Sequence, residues 1–66
     1  ISNFLYIMSN SEYFNHFFDI VADYMSYLRA FEANERWHYQ IEGKNKYKNY
    51  GTFRVMKSRW LRGKLK

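Results

Sequence analysis

Cysteine and proline are both missing from this 66-residue chain, and glycine occurs only three times. Without cysteine there is no disulfide and no thiolate zinc site, and the absence fits a reducing compartment. Without proline, no turn is set by a ring-locked φ. No glycine-rich phosphate loop is present. Apolar runs are short as well: the longest is Phe4 to Met8, whereas a membrane-spanning helix needs about 20 residues. The opening ISNFLYIM lacks the basic start of a signal peptide. Acid is missing from the whole second part of the chain, since none follows Glu42.

That last absence divides the sequence. Glu12, Asp19, Asp23, Glu32, Glu35 and Glu42 are opposed only by Arg29 and Arg36. Lys44, Lys46, Lys48, Arg54, Lys57, Arg59, Arg62, Lys64 and Lys66 then follow without a counter-charge. The formal net charge of +5 therefore hides two blocks of opposite sign. The expected organisation is an acidic, amphipathic helical body at 1–42 and a basic, RNA-facing arm at 43–66, because such asymmetry marks a basic arm directed at a polyanion. The bland alternatives are a solvated tail, or a tail folded back on the acidic face of its own helix.

Aromatic residues make up 23% of the chain. A single small domain buries little surface, so some rings are expected to face a partner. Phe, Tyr, Met, Ile, Asn and Lys, whose codons are A/T-rich, together supply 32 of the 66 residues. Gly, Ala, Arg and Pro supply 11. This skew suggests an AT-rich genome, as in many organelles. A first residue of Ile1 fits a non-standard organellar start codon, and equally a processed or truncated chain.

Residues 1–8 read as a strand or as a segment packed on a partner. Ser9 and Glu12 have the spacing of a capping box. Phe14, Phe17, Phe18, Val21, Met25 and Leu28 then recur in helical steps, widened by Ile20, Tyr24, Tyr27 and Phe31. Glu12, Asn15, Asp19, Asp23 and Ser26 fall opposite. The fold class expected is mainly α, with one long amphipathic helix at about 10–34. RWHYQIE then alternates, with Trp37, Tyr39 and Ile41 on one side. That predicts a short strand or hairpin at 36–42; continued helix, with Glu32 and Arg36 paired at i,i+4, is the rival. GKNK reads as a turn and YKNYG as a polar loop. A short basic helix is expected from Phe53 to Leu61.

His16, Asp19 and Asp23 share a helical face at i, i+3 and i+7, a pattern that can hold a divalent metal, but a solvated polar face is the preferred reading. His38 reads as exposed or hydrogen-bonded to a partner. With no cysteine nucleophile and no phosphate loop, no catalytic residue, cofactor or small-molecule substrate is assigned, and an enzyme is not expected.

The basic segment carries the functional reading. Lys44, Lys46, Lys48, Arg54, Lys57, Arg59, Arg62, Lys64 and Lys66 suit phosphate, and Arg also bonds bidentately. Trp60 is grouped with them as an RNA contact, and Tyr47, Tyr50 and Phe53 are further candidates for stacking on unpaired bases. Phe53, Met56 and Trp60 serve equally as an anchor against the first helix. Phe14, Phe17, Phe18, Val21, Met25 and Leu28 are the expected protein-contact face.

The run QIEGK, a loop, and then VMKSRWLRGKLK resembles the C-terminal domain of the universal KH-domain protein of the small ribosomal subunit. Gly43 and Lys44 would match that family's turn after a strand. Lys57, Ser58, Trp60, Arg62, Gly63 and Lys64 would match its helix and exit. The connecting loop is longer here, a residue is missing near Arg62, and the family's closing strands are absent. The resemblance implies a ribosomal class: a structural small-subunit protein of a mitochondrial ribosome, acting in translation in the matrix, with ribosomal RNA and neighbouring ribosomal proteins as partners and no membrane span. The alternative expectation is an accessory subunit of a mitochondrial inner-membrane complex.

Overall fold

The computed structural model describes residues 7–63, and among these it is mainly helical with no strand. Three helices follow in order: α1, Asn10–Ile20; α2, Tyr27–Glu42; and α3, Tyr50–Leu61. A single 3-10 turn, Val21–Asp23, links the first two. Each helix packs on both others. The segment 1–8 lies mostly outside the described residues. Of its last two members, Ile7 is exposed and Met8 is buried in the core, neither in regular structure.

α1 begins as its sequence predicts. Ser9 Oγ accepts from the Glu12 amide at 3.1 Å, and Glu12 Oε1 accepts from the Ser9 amide at 2.9 Å. Two otherwise unpaired helix-start donors are thereby satisfied. The helix does not run on to residue 34. Tyr24 and Ser26 take extended backbone conformations, and Ser26 Oγ accepts from the Arg29 amide at 3.1 Å to cap a new helix. A continuous helix over 10–34 would be about 37 Å long at 1.5 Å per residue. Its apolar stripe would then lose the cover that α2 gives it and keep only that of α3. The break lets α2 return against α1, so both stripes share one core.

The strand expected at 36–42 is helix as well. α2 continues to Glu42 and ends on Gly43, whose φ of +79° is left-handed and whose amide reaches Tyr39 O at 2.7 Å. The alternation of Trp37, Tyr39 and Ile41 is coincidental. The inward positions of α2 are Ala30, Phe31, Asn34, Glu35 and His38, which recur at helical steps of three and four. Three of them are polar, so a hydropathy pattern does not reveal the buried face. The strand that the ribosomal resemblance requires before Gly43 is therefore the last turn of a helix.

α3 is capped by Asn49, whose Oδ1 accepts from the Thr52 amide at 2.8 Å. Its Phe53 is wholly buried at the centre of the core, with ring centroids 4.8 Å from both Phe17 and Phe31. The charge boundary at 42/43 is thus not a packing boundary. The core is largely aromatic: Tyr13, Phe14, Phe17, Phe31 and Phe53 are buried, and Phe18, Trp37, Tyr47, Tyr50 and Trp60 pack around them. Most of the described rings are covered within the chain, while Tyr24, Tyr27 and Tyr39 stay exposed. Edge-to-face and tilted contacts between three helices let the rings cover one another.

Candidate nucleic-acid interface

α3 presents its two chemistries on opposite sides. At 100° per residue, Phe53, Met56 and Trp60 point one way and Arg54, Ser58 and Arg62 the other. The first three are the inward set, buried or half-buried. Arg54, Ser58 and Arg62 are exposed, and with Gly51, Val55, Lys57, Tyr50 and Tyr27 they line an open groove between the start of α2 and the outer side of α3. No acidic residue lines it. Lys57 Nζ lies 5.4 Å from the Tyr27 ring centroid, a cation–π approach. Arg59 is exposed on the flank of α3.

The remaining basic residues are not gathered here. Lys44 and Lys48 are exposed in the loop between α2 and α3. Lys46 belongs to a separate hollow with Ile7, Met8, His38, Glu42, Lys44 and Asn45. Its ammonium is half-buried, 5.7 Å from the Tyr13 ring centroid and 5.6 Å from that of Tyr47. Burial pulls its pKa below the usual lysine value, against the opposing pull of Glu42 and Glu35. This part of the basic segment does fold back on the acids of the body. Lys64 and Lys66 lie outside the described residues.

A buried polar network holds the loop that carries these lysines. Glu35 accepts from the Tyr13 phenol, from the Lys46 amide at 2.8 Å and from the Tyr47 amide at 3.3 Å. Asn34 donates to Tyr13 O at 3.1 Å, which turns its Oδ1 toward the His16 Nδ1 donor. His38 donates from Nδ1 to Lys44 O at 2.7 Å, and the Met8 amide donates to Glu42. Burial, reinforced by its bond to Glu35, pushes the Tyr13 phenol far above its usual range. Burial, with the Glu35 charge, pushes the Tyr47 phenol up to about 12. Both phenols are therefore neutral at neutral pH, with Tyr13 the donor to Glu35, and the arrangement is one of positioning. Sequence patterns missed Glu35, Asn34 and His38, because their polarity places them on a surface in any hydropathy reading.

The stacking and contact residues are redistributed. Trp60 stacks on Phe14 at 5.2 Å and donates from Nε1 to Ser11 Oγ at 3.4 Å. Phe53 is buried, and Tyr47 and Tyr50 pack against the core. The anchor alternative therefore describes Phe53, Met56 and Trp60. Among the expected protein-contact residues, Phe14 and Phe17 are buried in the chain's own core and so present no outer surface. Phe18 and Val21 are half-buried against that core. Met25 is fully exposed and Leu28 is 44% exposed, at the bend between α1 and α2.

His16, by contrast, is bound to Asn34 and stacked on Trp37, with centroids 3.6 Å apart, while Asp19 and Asp23 are exposed. Among the described residues, no group of three or more potential ligands could hold a metal, and no helix is long and apolar enough to cross a membrane. Compared with known protein families, curated proteins and solved structures, the chain matches none of them.

Proposed function

We propose that the chain is a non-catalytic RNA-binding component of a ribonucleoprotein particle, specifically a structural constituent of a mitochondrial ribosome. The observation that carries the RNA reading is the acid-free outer side of α3, where Arg54, Ser58 and Arg62 align beside Lys57 and Arg59. Arginines in this arrangement neutralise phosphate and release counterions without reading sequence. Arg54, Lys57, Arg59 and Arg62 are the main contacts of this proposal, with Lys44 and Lys48 at its edge. The organellar and ribosomal part is supported by the A/T-rich codon bias and by the small, basic, cysteine-free composition. Small-subunit membership rests on the short resemblance around Lys57–Lys64.

Met25 and Leu28, exposed at the bend, are the surface offered to a neighbouring protein. That same bend favours the second reading, an accessory subunit of a mitochondrial inner-membrane complex that binds protein in place of RNA. Gradient sedimentation of the tagged full chain separates the two. Co-migration with a ribosomal particle, lost on nuclease treatment, is expected. Nuclease-resistant migration with a detergent-extracted membrane complex overturns the ribosomal reading.

A further inference from the structure

The groove beside α3 has two walls of different chemistry. Arg54, Ser58 and Arg62 form one wall, and the Tyr27 ring from the first turn of α2 forms part of the other. Of the rings of the basic segment, Tyr47, Phe53 and Trp60 are committed to the core, and Tyr50, which also lines the groove, is half-buried and stacked on Phe53. Tyr27 is 52% exposed. Its ring meets Phe17 at 6.0 Å with planes at 84°, and Lys57 Nζ stands 5.4 Å from its centroid. A half-exposed aromatic ring beside a cationic, acid-free track, with only the flexible Lys57 ammonium over it, has the composition of a single-strand platform, in which bases stack and the backbone follows the charge. A duplex offers such a ring little, because its base faces are already stacked and its phosphates and 2′-hydroxyls are what a protein meets.

We infer that this groove binds an unpaired nucleotide of RNA, with its base stacked on Tyr27 and its flanking phosphates held by Arg54 and Arg62. The inference rests on the RNA reading above and adds the substrate class to it. Arg54 and Arg62 are eight residues apart, about 12 Å along the helix, and so stand on either side of a nucleotide seated between them. Ser58, midway, offers a hydroxyl to the same strand. Lys57, whose ammonium lies over the Tyr27 ring, is the side chain that the base displaces, and it then stands beside the flanking phosphates. The platform comes from the acidic part of the chain and the track from the basic part, so the site exists only when α2 and α3 are packed together.

The test uses the full chain, a mixed-sequence single-stranded oligoribonucleotide, and the same sequence annealed to its complement. Tyr27→Leu keeps an apolar side chain without a π face, and Tyr27→Phe keeps the ring. Tyr27→Leu is expected to weaken single-strand binding by about 5- to 150-fold while leaving duplex binding within about twofold. Tyr27→Phe is expected to retain both, and neither change is expected to alter the salt slope, since no phosphate contact is lost. Arg54→Ala with Arg62→Ala is expected to weaken both RNAs. If that double change weakens both RNAs but Tyr27→Leu binds single strands like the wild type, the stacking site is wrong and the RNA reading stands. Equal loss of both RNAs in Tyr27→Leu also overturns the stacking site. If the double arginine change affects neither RNA, the RNA reading itself fails, and the inference with it.

Discussion

The ring of Phe53 lies 4.8 Å from that of Phe17, centroid to centroid, with the planes at 61°. One residue belongs to the basic half of the chain and the other to the acidic half. Their contact makes the basic segment a structural member of the core as well as a charged surface.

Phe53→Ala is therefore expected to cost about 3–5 kcal/mol, a large share of the stability open to a chain of this size. Met25→Ala, at a fully exposed position, is expected to stay within about 0.5 kcal/mol of the wild type. Chemical denaturation of the two variants checks both. A mild Phe53→Ala would mean that α3 does not contribute to the core.

Glu35→Ala removes the acceptor shared by the Tyr13 phenol and the Lys46 and Tyr47 amides. Leaving buried donors unpaired costs about 1–3 kcal/mol. The loss is expected to be local first, with amide exchange at Lys46 and Tyr47 accelerating more than at Phe17. Uniform acceleration throughout the chain would show that Glu35 does not specifically hold this loop.

Alkaline pH is expected to destabilise the fold through its phenols. Tyr13 and Tyr47 have folded pKa values raised above the usual 10.0, Tyr47 to about 12. Above pH 10 the unfolded chain loses these protons while the folded chain keeps them, so stability falls as pH rises. For Tyr47 the loss spans about pH 10 to 12. The lowered pKa of Lys46 works the other way, adding stability as pH rises toward its usual 10.5; one amine set against two phenols offsets part of the loss without reversing it above pH 10. Melting temperatures from pH 8 to 12 check the sign, and Tyr47→Phe is expected to shallow the decline.

Salt dependence is expected to separate the basic residues. With five phosphate contacts, from Arg54, Lys57, Arg59, Arg62 and Lys48, log affinity falls against log salt with a slope of about −3.5 to −4.5. Arg54→Ala with Arg62→Ala is expected to flatten it by about one to two units. Lys46→Ala is expected to leave it unchanged, because that side chain is half-buried and already faces the Glu42 and Glu35 charges. Binding isotherms at several salt concentrations measure each slope. A flattening by Lys46→Ala equal to that of one arginine would overturn this partition.

The bend at Ser26 offers a simple check of the helix break. Ser26→Ala removes the hydroxyl that accepts from Arg29 and is expected to cost about 0.5–2 kcal/mol, while Ser26→Asp, which can still cap, is expected to cost much less. Equal melting temperatures for Ser26→Ala and the wild type would leave the break without its cap.

Helical character, the Ser9–Glu12 cap, the helix near Phe53–Leu61 and the split of charge at Glu42 were legible in the residues themselves. These depend on interactions within one turn or on composition, which neighbouring residues decide. The continuation of α2 through His38 was legible only as the rival to a strand, because Asn34, Glu35 and His38 are polar yet buried. Their burial is tolerable only because Tyr13, His16, Lys44, Lys46 and Tyr47, distant in sequence, supply the hydrogen-bond partners.

The sequence by itself determined that this chain is mainly helical, that it carries an uncompensated positive segment, and that it has rings enough to build a core. The tertiary structure alone decided where the long apolar stripe breaks, which rings the core consumes, and which cations remain free. Helical periodicity says that a side chain shares a face with others, but not whether another part of the chain will cover that face. Phe53 and Lys46 were drawn inward because α1 and α2 leave room for a ring and place carboxylates beside an amine. Arg54 and Arg62 stayed outside because they lie on the side of α3 opposite Phe53, and Tyr27 stayed half-exposed at the start of α2, touched by Phe17 and Lys57.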